Sequence, residues 1–543
     1  MDAARQNVCR RSGFPYPEPV STLTKPAASE APALARLFSG NPIAWLAVFG
    51  PGAVMASLTI GVGELIFSSR GGALFGYRLL WFFLLVLALK WVLVFSSARH
   101  MVLTGAHPFQ RWMALPGPRG WFPLVLFLLA AVCFPIWICF HAGTLGTLAS
   151  WMAGTEQGMR GGAYLVWGMG ILAMTLVLSA LGGYRALEKI QTVIILLMLL
   201  SVVVSLFFLK PDWFEFCKGL LLPQPLRYPD WLNPEAHGAI LARPVWVETT
   251  TYVGVIGGSS YDYLAYVSYL RDKHWGQAGS RLVTRAELQA MAVTPHHPNR
   301  RWLRAPMIDC TLSFLIVLVF TAVFVVCGTV VLGPQHKVPS GSNLLLLQAE
   351  FVTSIYPWLR YVYFSGAILA ILGTLYGTIE VAPAIVREMA LAFAPERAAV
   401  LDRPLRLWSV LWAGLGGLTV LVWSLANHLA HGAKETPSLI AILTPANLFT
   451  GVLGCGLICL LNIWMDRVFL PRQLRLPGWL MFSNAAAGLA FLLVGIKAYW
   501  DHSRWQALGM LAATVALGWG AAWLRHRLSS RTAQNPPLSK SDS

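Results

Sequence analysis

Two short stretches combine residue types able to hold a charged solute: Gly61-Val62-Gly63-Glu64 and Gly257-Gly258-Ser259-Ser260. In each, glycines let the backbone unwind and present its carbonyls, and oxygen-bearing side chains stand beside them: the Glu64 carboxylate, and the Ser259 and Ser260 hydroxyls. Carboxylate, hydroxyl and carbonyl oxygens suit a hard cation or a substrate ammonium, and a carboxylate can also carry a coupling proton. Glu64 is the only side-chain carboxylate in either stretch, which makes it the one metal-ligand candidate. Its competing role is to cap the half-helix that follows.

Three further residues form the candidate ion-coupling set. Asp262 lies just past the second stretch and either caps its helix or faces the pocket. Glu380, in Gly377-Thr378-Ile379-Glu380, is a candidate proton relay. His141 belongs to the residue type that titrates near neutral pH, with packing as the competing role. Tyr252, Tyr261 and Tyr263 surround the second stretch, either closing over an organic solute or anchoring a span end. Glu248 is a weaker pocket candidate.

The elements that position these residues are membrane spans. The 543 residues are 56% hydrophobic and 12% charged, against about 25% charged in ordinary soluble domains. A helical span takes about 20 mostly apolar residues, and runs of that kind are expected at 43–70, 79–98, 122–150, 162–181, 189–209, 243–270, 306–332, 355–386, 405–425, 438–463, 479–499 and 505–524. The two glycine stretches interrupt the first and the sixth. Unwound backbone survives in hydrocarbon only where protein or a cavity receives it, and paired interruptions point to a transporter's central site.

With the N-terminus in the cytoplasm, 28 Lys and Arg fall on that side and 12 on the other, with Lys90 inside a span. Both termini are therefore expected in the cytoplasm, in a multi-pass protein of the plasma (inner) membrane. The net charge of +17 is accounted for by basic loops facing anionic lipid, and nothing suggests a nucleic-acid partner. Residues 1–40 and 526–543 read as disordered flanks of one transporter domain, 41–525. Of the eight cysteines, six lie in apolar runs, which reads as packing rather than a disulfide framework; Cys455 and Cys459 fall on one helix face. No Walker motif, nucleophile elbow or Cys-x-x-Cys pair occurs, and His296-His297 reads as part of a solvated loop. The chain is not expected to be an enzyme or to need a cofactor.

Gly50-Pro51-Gly52, the first break, Gly76-Tyr77 and Leu79-Leu80-Trp81 resemble the opening of the Nramp family of divalent-metal transporters. Pro211-Asp212-Trp213, Lys218-Gly219-Leu220 and Pro223 resemble its loop before span six, and Thr374-Leu375-Tyr376-Gly377 its span eight. The resemblance covers most of 43–475. It implies an all-α membrane protein with the LeuT-type inverted five-plus-five repeat: repeat one at about 43–209, repeat two at about 243–463, and two extra spans at 479–524.

The family's metal ligands do not carry over. Its Asp-Pro-Gly-Asn motif falls on Gly61, Val62, Gly63 and Glu64, and its Met-Pro-His-Asn motif on Gly257, Gly258, Ser259 and Ser260. The histidine of its proton route falls on Leu264, and the Ser-Gln pair of span ten on Leu443-Thr444-Pro445-Ala446-Asn447. Three functions stay open. The first is secondary transport of a divalent cation by alternating access, with Mg²⁺ or Mn²⁺ favoured over softer ions for want of a thioether and proton coupling possible. The second is transport of a small organic solute such as an amino acid or amine, in a pocket enlarged by Gly and Ser. The third is a non-transporting membrane receptor or sensor.

Overall fold

A computed structural model describes residues 49–61, 63–181, 210–294, 296–339, 357–432 and 437–534, with the isolated residues Trp45, Lys189, Val193, Leu197 and Leu347. The expected arm at 1–40, the fifth span at 189–209 apart from three residues, and the end of the chain from 535 lie outside the described residues.

Every regular element among the described residues is helical. Helix α1 (Pro51–Thr59) is followed across the first break by a π-helical stretch, Gly63–Ser68, and by α2 (Ser69–Phe75). The chain turns at Gly76 into α3 (Leu80–Thr104). Helices α4 (Trp121–Met152) and α5 (Ala163–Leu181) complete the described part of the first repeat. The second repeat opens with α6 (Val245–Val255) and α7 (Ser260–Asp272), the two halves of the other broken helix. It continues through α8 (Arg304–Cys327), α9 (Leu359–Phe393) and α10 (Asp402–His431). Its last helix is divided into α11 (Leu439–Asn447) and α12 (Gly454–Phe469), with π-helical residues Leu448–Leu453 between them. Finally, α13 (Gly478–Gln534) is folded in two at Arg504.

Nine helical stretches among the described residues are long and apolar enough to cross a membrane. Helices suit that setting because each closes its backbone hydrogen bonds within itself. The final helix outruns its expected end at 524 by ten residues, reaching Gln534; Arg525 lies over the Phe393 ring and Arg527 over Trp523. Polar side chains thus extend that helix beyond the apolar run that marked it in the sequence.

The described helices share one apolar core, into which both broken helices are sunk. Helix α4 packs on α5, α9, α10 and α13, while α1, α3 and α9 surround α7. The start of α1 is fixed by Asp309 of α8, whose carboxylate accepts the N–H groups of Gly50 (3.1 Å) and Gly52 (2.7 Å). A negative charge there complements the positive end of the helix dipole. The first break is thereby held in depth and direction by the second repeat.

Candidate functional site

The second break is a left-handed turn. Ile256 leaves α6 in an extended conformation, and Gly257 and Gly258 take φ of 83° and 94°. A side chain at such dihedrals costs roughly 1–2 kcal/mol. Here a Cβ would also come within 2.7 Å of Leu87 or 2.4 Å of Thr59.

Unwinding frees backbone groups where water cannot serve them, and each finds a protein partner. Ile256 N–H donates to Tyr252 O at 2.9 Å, and Gly258 N–H to Val255 O at 3.4 Å. Gly257 N–H donates to Glu64 Oε1 at 2.8 Å, and Ser259 N–H to Asp262 Oδ2 at 2.7 Å. The Gly257 carbonyl accepts the Tyr263 hydroxyl at 2.6 Å. The carbonyls of Ile256 and Gly258 each accept from Lys90 Nζ at 2.7 Å.

The first break is built by close approach. Gly61 N–H donates to Thr59 O at 2.9 Å, and the Thr374 hydroxyl of α9 lies 3.3 and 3.4 Å from the Ser57 and Ile60 carbonyls. A Cβ on Gly61 would stand 2.1 Å from that hydroxyl, so only glycine fits. Gly63 begins the π-helical turn, and Glu64 follows, wholly buried. Its Oε1 reaches the second break, while Oε2 is buried without a hydrogen-bond partner among the described residues. A carboxylate oxygen facing protein interior is costly to leave so, unless a cation or proton meets it.

The seven predicted binding residues thus come together around one junction, with Ser260 opening α7 and lying against Gly454. Asp262 joins them as the cap of α7. Glu380 does not: it accepts from Ser179 at 2.6 Å and pairs with Arg406 at 2.7 Å, between α5, α9 and α10. His141 is on α4 beside Phe140, with its Nδ1 buried and without a hydrogen-bond partner among the described residues. Among the described residues no group of three or more His, Cys, Asp and Glu is placed to hold a metal.

Lys90, the charge inside a span, joins the junction through the Ile256 and Gly258 carbonyls. It stands alone as a charge in the apolar run of α3 before Arg99, and a buried intramembrane lysine is itself a signal of function. Ion pairs also close both ends of the broken helices. Arg70 of α2 meets Glu248 of α6 at 2.5 Å, and Tyr252 donates to the same carboxylate oxygen at 2.9 Å. At the far end of α7, Arg271 pairs with Glu388 and Arg387 with Asp272, both at 2.9 Å.

Known proteins share this fold. The family pattern described as natural resistance-associated macrophage protein-like, Nramp, matches residues 52–389. The crystal structure of the Eremococcus coleocola manganese transporter in complex with an aromatic bis-isothiourea compound is similar over 92% of this chain and 96% of that one, at 13% identity and a TM-score of 0.63. A mutant of that transporter is similar over 93% and 97%, at 14% identity and a TM-score of 0.64. At such identities the likeness establishes the fold.

Proposed function

The chain belongs to the Nramp family of metal-ion transporters, and from that premise we propose that it moves a hard divalent cation, Mg²⁺ or Mn²⁺, through the junction of its two broken helices. One observation carries the reading: the buried Glu64 carboxylate joins the breaks through Oε1 and leaves Oε2 for a cation. The donors around it are oxygens, which favour hard ions over soft ones, and no methionine supplies a thioether at the matching position. The Ile256 and Gly258 carbonyls already attract a positive group, the Lys90 ammonium, so the local field suits cations.

The clasps at the two ends support alternating access, each end opening in turn while the junction stays fixed. Asp262, at the junction, is the nearer candidate for a coupled proton; Glu380 and His141 are more distant ones. The charge asymmetry of the loops supports cytoplasmic termini, and Cys217, exposed before α6, allows a test by impermeant thiol labelling of intact cells. Labelling only from the cytoplasmic side would reverse that orientation.

A second reading, transport of a small amine or amino acid, is favoured by Lys90 itself, because it holds two carbonyls that a dication would use. Uptake by the purified protein in vesicles, with Mg²⁺, Mn²⁺, Cd²⁺ and amino acids in parallel, separates the two. Accumulation of Mg²⁺ or Mn²⁺ with poor discrimination for Cd²⁺ is expected. Strong Cd²⁺ preference would overturn the oxygen-site argument, and accumulation of amino acids alone would overturn the metal reading.

A further inference from the structure

Lys90 lies near the middle of α3 and is fully buried. Of its three N–H donors, two go to carbonyls more than 160 residues away in sequence: Ile256 and Gly258, both at 2.7 Å. These are the carbonyls that the left-handed turn releases from the helix ladder; the third, that of Gly257, is already taken by Tyr263, whose hydroxyl also lies 3.2 Å from the Gly258 carbonyl. Glu64 and Asp262, one from each broken helix, both lie close enough to interact electrostatically with the ammonium. Carbonyl oxygens at 2.7 Å with carboxylates nearby are the surroundings of a bound cation, and here the cation is covalently part of the chain. An ammonium can also leave such a site and return, because a flexible four-carbon stem carries it.

We propose that Lys90 is a resident, tethered cation of the second break, and that the cargo cation competes with its ammonium for the Ile256 and Gly258 carbonyls. The inference rests on the cation reading of the junction. Cargo loads when the Lys90 head group withdraws along its stem, and the head group returns when cargo leaves. The Ile256 and Gly258 carbonyls then always face a cation. Lys90 becomes a specificity-determining residue: an ion must surrender its water and displace a well-seated ammonium, which an ion of weak field cannot do.

The competition predicts a reciprocal effect. Lys90→Met keeps the bulk and removes the charge, leaving the Ile256 and Gly258 carbonyls without their ammonium, the latter with the Tyr263 hydroxyl at 3.2 Å, so that a free dication can take its place. The full-length protein is purified in detergent and melted in the presence of MnCl₂ or MgCl₂ over a range of concentrations. The variant is expected to be less stable than wild type without metal and to recover with it. Its apparent metal affinity should be about tenfold tighter or more, an ordinary coupling between two competing ligands. Lys90→Gln retains N–H donors for the carbonyls without the charge, and carries the same comparison should the methionine variant not fold. Lys90→Arg keeps the charge and should retain the wild-type weakness toward metal. Wild type that transports Mn²⁺ or Mg²⁺, beside neutral variants of unchanged metal affinity, overturns the role of Lys90 and leaves the cation reading standing. Failure of every form to bind or move either metal overturns both.

Discussion

Glu64 and Gly257 are 193 residues apart in sequence and meet at 2.8 Å, the carboxylate of one broken helix accepting the backbone N–H of the other. The two repeats are therefore coupled at the point where both are unwound. Glu64→Gln tests what that contact does. The amide oxygen can still accept the Gly257 N–H, so the tie survives while the charge is lost. Uptake is expected to fall about 10- to 100-fold or further, as when a metal site's ligand field is disturbed. Stability should change by no more than a cap-like contact, about 0.5–2 kcal/mol. Parallel measurement of uptake and melting temperature separates the roles: full uptake with a lowered melting temperature would reduce Glu64 to a structural tie.

The turn at the second break should resist any side chain. Gly258→Ala places a Cβ at φ 94° and 2.4 Å from Thr59 Cγ2. The dihedral alone costs roughly 1–2 kcal/mol, and the contact adds to it. Loss of thermal stability and of uptake together is expected. Gly238→Ala is the control, since a Cβ there meets nothing within 4 Å. Equal melting temperatures for the two variants would show that the left-handed turn is not required.

How much of this could be read in advance follows from what each residue signals locally. The breaks were legible because glycine in a span-length apolar run contradicts its surroundings, and Glu64 because it is a lone carboxylate in one of them. The Nramp resemblance supplied the family and fold class, and a family match and structures of the same fold bear that out. Lys90 was visible as a charge inside a span, but nothing near it in sequence says that its partners are the carbonyls of Ile256 and Gly258. Thr374 against Gly61, and Glu380 with Arg406, are pairings of the same kind, fixed by helix packing rather than by any period. The π-helical stretches Gly63–Ser68 and Leu448–Leu453 carry no compositional mark at all.

Acid should loosen the junction through His107, which lies in the connection after α3. Its Nε2 is 3.0 Å from the Leu264 carbonyl of α7, and Nδ1 accepts the Phe109 N–H at 3.3 Å, which fixes the neutral Nε2–H form. Burial pulls its pKa from 6.5 down to about 4, with Glu388 opposing and Arg271 and Arg387 reinforcing. The folded value lies below the unfolded one, so the neutral ring's contribution is complete above pH 6.5 and is lost as pH falls toward 4. The shift corresponds to a loss on the order of 3 kcal/mol. Melting curves across this window should fall steeply for wild type and less so for His107→Gln; identical slopes would mean the ring is not held neutral.

The Arg70–Glu248 clasp separates stability from gating. Both side chains are nearly buried, Arg70 also donates to Pro339 O at 2.7 Å, and the pair joins α2 to α6, the half-helices at one end of the junction. Removing one partner leaves a buried charge unmatched, which typically costs about 3–5 kcal/mol. Replacing both by apolar residues of similar size avoids that penalty and is often neutral. Arg70→Met and Glu248→Leu are each expected to melt well below wild type, and the double variant close to it. If the clasp holds that end shut while cargo crosses, the double variant should still fold but transport abnormally, since nothing polar then favours closure. A double variant that is stable and transports at the wild-type rate would leave the pair without a gating role, and would shift the burden of closure to the apolar packing of Phe67, Phe75 and Phe83 around Tyr252.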